Sequence, residues 1–207
     1  ITNNSTTPIP VTSTASFPSG GGYILIGTEI IQYTATTPTS FAGTITRGAL
    51  STTNVAHTSG AQVSEVQGTG SPTTVGVLKL NNTDNSNGVS ISANDITQIV
   101  FAQPGYYNVQ FSAQLLSFAN SPDNVTIWVR QNGTDISASA GIVTVPAIHG
   151  GVPGAIIAGW NYILGFNTND YLQFCWTTDS GTSVIATSPP GLTPVHPSSP
   201  AMFVTAQ

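Results

Sequence analysis

The sequence predicts an all-β protein, a small N-terminal β-module followed by a β-sandwich of jelly-roll type. The first observation behind this is alternation. Tyr107, Val109, Phe111, Ala113 and Leu115 form one side of a strand whose other side is Asn108, Gln110, Ser112 and Gln114, a period of two. The second is the lack of helical spacing: apolar residues do not recur at i, i+3, i+4 over any window of about eleven residues. The third is composition. Only 5% of the 207 residues are charged, against roughly 25% in ordinary soluble domains. Polarity comes instead from Thr, Ser, Asn and Gln, and turns from 21 Gly and 14 Pro. Thr favours strands, while Asn, Ser, Gly and Pro favour turns.

Element by element, residues 1–16 are rich in Thr, Ser and Asn, carry Pro8 and Pro10, and read as an extended arm that orders on a neighbouring protein. Residues 17–67 read as the small module. Tyr23-Ile24-Leu25-Ile26 passes through Gly27-Thr28 into Glu29-Ile30-Ile31-Gln32-Tyr33, a hairpin pattern with Gly at the turn. A strand over 40–45 enters a turn at Thr46-Arg47-Gly48, and the alternating residues 61–66 close the unit. Residues 68–74, Gly-Thr-Gly-Ser-Pro-Thr-Thr, read as a linker.

Residues 75–207 read as the sandwich. Val75–Leu80 and the polar loop 81–88 precede the strand over 107–115. Val125, Ile127 and Val129 form a second inward row, which an Asn132-Gly133 turn terminates. Leu172, Phe174 and Trp176 form a third, and Met202-Phe203-Val204 makes the terminal strand. Pro and Gly predict exposed loops over 145–160 and 187–200.

Charge restricts function. The net charge is −5 and the basic residues are Arg47, Lys79 and Arg130, far apart in sequence. Nucleic acid and anionic membranes need clustered Lys and Arg, so neither is an expected partner. No apolar run reaches the ~20 residues of a membrane span, and the sequence does not open on a signal peptide pattern. Cys175 is the single cysteine, in the apolar run Leu172–Trp176, and reads as a buried thiol. Neither a base–nucleophile–orienter set nor a metal-ligand spacing occurs, so no catalytic residue, cofactor or metal is expected. Asp84 in the Asn/Ser loop is one carboxylate, too few for a calcium site.

Two resemblances extend this reading. Gln103-Pro104-Gly105-Tyr106-Tyr107 with its following alternating strand resembles the C1q/TNF-like jelly-roll superfamily. So do Trp128-Val129-Arg130-Gln131-Asn132-Gly133, Asn169-Asp170-Tyr171-Leu172 and the terminal Ala201–Val204. The resemblance spans about residues 75–207 and implies two sheets and a homotrimer. In the first half, Glu29-x-x-x-Tyr33, Thr46-Arg47-Gly48 and Ala56-His57-x-x-Gly60-Ala61 resemble a small β-module of tailed-bacteriophage virion proteins.

The candidate residues follow. Glu29 and Arg47 are expected to form a buried ion pair holding the module, with Tyr33 in its strand and His57 bonding a backbone carbonyl. Tyr106, Trp128 and Arg130 are candidates for the trimer interface, since interfaces favour aromatics and Arg. The expected function is a non-enzymatic virion protein on the particle exterior, a capsid decoration, cement or fibre head. It would meet other virion proteins through residues 1–67. The alternative is a receptor-binding fibre tip that recognises host glycan.

Overall fold

A computed structural model describes residues 1–2, 7–188, 190–192 and 194–207, with 191 and 192 as backbone alone. Residues 3–6 of the expected arm lie outside the described residues. Among the described residues twenty strands follow in order: β1 Ile9–Pro10, β2 Gly22–Ile26, β3 Glu29–Tyr33, β4 Ala35–Thr37, β5 Ser40–Ala42, β6 Thr46–Ala49, β7 Val63–Gly68, β8 Gly76–Val77, β9 Val89–Ile91 and β10 Ile99–Phe101. Then come β11 Gly105–Ser117, β12 Asp123–Gln131, β13 Thr134–Asp135, β14 Gly141–Val145, β15 Gly154–Phe166, β16 Asp170–Thr178, β17 Val184–Ala186, β18 Gly191–Leu192, β19 Val195–His196 and β20 Met202–Ala206. The described residues contain no helix, and all strand pairs are antiparallel. The chain is an all-β sandwich.

One sheet runs β15-β11-β17-β7-β2-β3-β6, with β20 also on β11. The facing sheet runs β13-β12-β16-β10-β9, with β14 on β12 and β8 on β16. Between them lies the main core. Val109, Phe111, Ala113 and Leu115 of β11 meet Val125, Ile127 and Val129 of β12 and Leu172, Phe174 and Trp176 of β16. The alternating rows bury their apolar side because that removes it from water at about 25 cal/mol per Å². Phe101 stacks on Phe166 with ring centroids 3.7 Å apart. Cys175 is buried in β16, and burial raises its thiol pKa.

Two turns close the far end of this sandwich. Asn132 and Gly133 both have positive φ, 48° and 81°, the backbone that a two-residue hairpin turn needs. Asn132 Nδ2 donates to Asp170 Oδ1 at 2.7 Å while Tyr171 N donates to Asn132 Oδ1 at 2.9 Å. Gln131 Nε2 and Asn167 N also donate to Asp170, so one carboxylate ties both turns together.

The path of the backbone departs from the sequence reading at several places. Over its described residues the expected arm is not free within the chain: β1 pairs with β5, and Ile9 is buried against Phe41 in the module's own core. Ile1 and His57 exchange two backbone bonds, of 2.8 and 3.0 Å. Nor does 68–74 separate two bodies. Gly68 ends β7 and pairs with Val184 of β17, which itself pairs β11, so module and sandwich share one sheet. A Cβ on Gly68 would lie 2.8 Å from Leu50 Cδ1; this glycine permits close packing there. Residues 154–160, expected as loop, belong to β15, which pairs with all 13 residues of β11. Finally, Thr46-Arg47-Gly48 is not a turn but part of β6; the reversal falls at Leu50 and Ser51, with φ of 53° and 66°.

A buried acid that the sequence reading passed over holds the 179–183 loop. Asp123 accepts Ser180 N at 3.0 Å, Ser183 N at 3.2 Å and Ser183 Oγ at 2.6 Å. Replacing a hydrogen-bonded buried carboxylate with an amide puts an N–H where only acceptors fit. Asp123→Asn is expected to lower stability by about 1–3 kcal/mol in urea unfolding. A loss under about 0.5 kcal/mol, the range of ordinary surface changes, would contradict that role.

Candidate functional site

Three separate stretches of sequence converge on one carboxylate. Glu29 opens β3 directly after the Gly27-Thr28 turn and is 0% exposed. Opposite it, β3 and β6 change register between Ile30 and Gln32, a bulge centred on Arg47 and Gly48. Gly48 has φ +62°, and a Cβ there would lie 2.9 Å from Thr52 O. The bulge turns both Arg47 and the Gly48 amide toward Glu29. Arg47 Nε and Nη2 donate to Oε1 and Oε2 at 2.7 and 2.8 Å, a two-pronged pair. Gly48 N adds a bond to Oε1 at 2.9 Å and Val55 N one to Oε2 at 3.2 Å.

The His57 ring was expected on a backbone carbonyl; it goes to Glu29 Oε2 instead, at 2.7 Å from Nε2. Burial would raise the Glu29 carboxyl pKa, but Arg47, the Val55 and Gly48 amides and His57 together hold it at about 2. An ionised carboxylate only accepts, so Nε2 carries the hydrogen. Arg47 also donates from Nη1 to Thr2 O at 2.7 Å and from Nη2 to Val55 O at 2.5 Å. Five donors thus saturate the two oxygens of Glu29, which leaves no lone pair for a substrate proton. The arrangement fixes the bulge, the 50–57 segment and Thr2 to one strand. Its chemistry is anchoring.

Tyr33 stands apart from this hub. Its hydroxyl donates to Pro18 O at 3.1 Å and its ring packs on Phe41. Burial, and then the nearby Glu65, push its pKa up to about 12.

The three interface candidates do not share a face. Trp128 and Arg130 lie on the outer side of the seven-stranded sheet. Arg130 Nε donates to Asp135 Oδ1 at 2.7 Å, and Trp128 is half-buried beside them. Tyr106, 86% exposed, lies on the outer side of the other sheet. There the register places it beside Gly165, Asn108 beside Ile163, Gln110 beside Asn161, Ser112 beside Gly159 and Gln114 beside Ile157. On the opposite flank of β11, Phe203 and Thr205 of β20 extend the same surface.

None of these positions holds Asp, Glu, Lys, Arg or His, and Tyr106, Ile157, Ile163 and Phe203 are each more than half exposed. Sequence reasoning missed Ile157, Ile163 and Phe203. In β15 the core-facing row of Ile156, Ala158, Trp160, Tyr162 and Leu164 alternates with an outer row that is itself apolar or glycine except at Asn161, which erases most of the period-two contrast. The absence of any charge from Ala155 to Asn169 is the signal that could have found it.

Among the described residues no three His, Cys, Asp or Glu side chains gather where a metal ion could sit. No protein-family model matches the chain, and no curated protein sequence matches it.

Proposed function

We propose that this chain is a non-enzymatic structural protein of a tailed-bacteriophage particle, a homotrimer displayed on the exterior as a capsid decoration, cement or fibre head. The observation that carries the reading is the convergence on Glu29. The Glu29, Arg47 and His57 stretches, which resemble a virion module, are joined in one saturated network and have a physical reason to occur together. Residues 1–67 meet other virion proteins, and the uncharged outer face of β15, β11 and β20 meets copies of itself. Such a face associates without stripping water from ions, which would cost several kcal/mol per charge.

A receptor-binding tip is the second reading. It draws on Val152, 66% exposed, and Val195, 87% exposed, in the 146–153 and 187–200 segments. A reconstruction of the particle carrying the protein separates the two. The structural reading expects three-fold density on the exterior, and His149→Ala with His196→Ala leaving host adsorption unchanged. Absence of the protein from purified particles overturns both readings. A large drop in adsorption with normal assembly favours the receptor-binding tip.

A further inference from the structure

The sandwich is open along one edge. β20 pairs with β11 and, among the described residues, with no other strand. Asn108 and Gln207 exchange bonds of 2.8 and 3.1 Å, and Gln114 N donates to Ala201 O at 2.8 Å. In an antiparallel ladder this phase assigns residues 203 and 205 to β11 as well, so the N–H and C=O groups of Met202, Val204 and Ala206 point away from it. β9, the last strand of the facing sheet, is likewise paired on one side alone. Between these two edges runs a groove of about 1160 Å³, larger than the roughly 300–1,000 Å³ of small-molecule pockets. Met202, Val204, Ala206, Val89, Ile99 and Ile185 line it. Of these Met202, Val204, Ala206 and Val89 are only partly buried against the main core, so the core is unfinished here.

We propose that this groove receives an extended segment of another polypeptide, which adds to β20 as a further antiparallel or parallel strand. Backbone groups in a groove need backbone partners, and strand addition supplies them. The half-buried apolar row calls for apolar residues at alternate positions of the incoming segment. The ionisable side chains at the rim are Glu65, Lys79 and Asp84, of mixed sign, which fits an uncharged segment. The occupant we propose is a different chain. Three of the segments outside the strands, 50–62, 81–88 and 146–153, carry no alternating apolar pattern to donate. A second copy's β20 would bring its own sandwich, and residues 15–18 and 81–87 line the groove beside the edge.

The test is amide hydrogen exchange on the full chain, with and without an acetylated, uncharged seven-residue peptide of alternating Val and Thr. The peptide is expected to slow exchange at Met202, Val204 and Ala206, while the same peptide N-methylated at alternate residues does not. Val204→Pro removes an N–H that β11 does not use, and edge strands tolerate such a proline. It is expected to weaken peptide binding at least about tenfold with circular dichroism unchanged. Should that variant unfold, the two peptides on the unaltered protein decide. No slowing at millimolar peptide, or equal slowing by the N-methylated peptide, overturns the proposal. So does slowing at these three amides that still grows with protein concentration after the oligomer is complete, which would place a further copy in the groove.

Discussion

Glu29→Ala is expected to destabilise the protein by about 3–5 kcal/mol, because it strands a buried guanidinium. The Arg47 side chain is 4% exposed, and the Gly48 and Val55 amides lose their acceptor in the same step. Replacing both charges together, Glu29→Met with Arg47→Met, should recover much of the loss, since no uncompensated ion then remains. Urea unfolding of the two variants measures this. A single-variant loss below about 1 kcal/mol, the range of exposed ion pairs, would mean that the network holds nothing.

The same network sets the acid limit. The folded carboxyl sits at about 2 against an ordinary 4.5. A depressed pKa adds stability that is complete above the unfolded value and is lost as pH falls through the folded one. The window therefore runs from about 4.5 down to about 2, and the shift corresponds to roughly 3 kcal/mol. In the double variant this part of the acid dependence should vanish.

What could be read from the sequence was local. The β2–β3 hairpin, the inward rows of β11, β12 and β16 and the Asn132-Gly133 turn each rest on neighbours within a few residues, where side-chain period and turn chemistry act. The Glu29–Arg47 pair was legible because a protein with so few charges leaves few partners for a buried acid. What could not be read was long-range. β7 meets β17 through pairs such as Gln67 and Ile185, so the glycines between module and sandwich looked like a linker. Ile9 looked like part of a free arm because the partner that buries it, Phe41, lies on another strand. The bulge at Gly48 looked like a turn, since both need a positive φ and sequence carries only the glycine. β15 was hidden because its outer row, Asn161 apart, is apolar or glycine too.

Placing charge on the outer face of β15 should dissolve the proposed trimer. Ile157 and Ile163 are 67% and 66% exposed in the single chain, among amides and glycines. An Asp at each would be buried without a cation, since the face offers none. Ile157→Asp with Ile163→Asp is expected to weaken association at least about 100-fold. Ile142→Asp is the matched control: Ile142 is 68% exposed on the outer side of the other sheet, and its replacement should leave the assembly intact. The reverse pattern would move the interface to the Trp128 and Arg130 face. Because the proposed interface carries no charge, salt should change its strength little.

Sedimentation equilibrium of the unaltered chain at micromolar concentration tests self-association through this face most directly. The account predicts a single species of three times the 21.3 kDa chain mass, unchanged in high salt. A monomer of 21.3 kDa would contradict it.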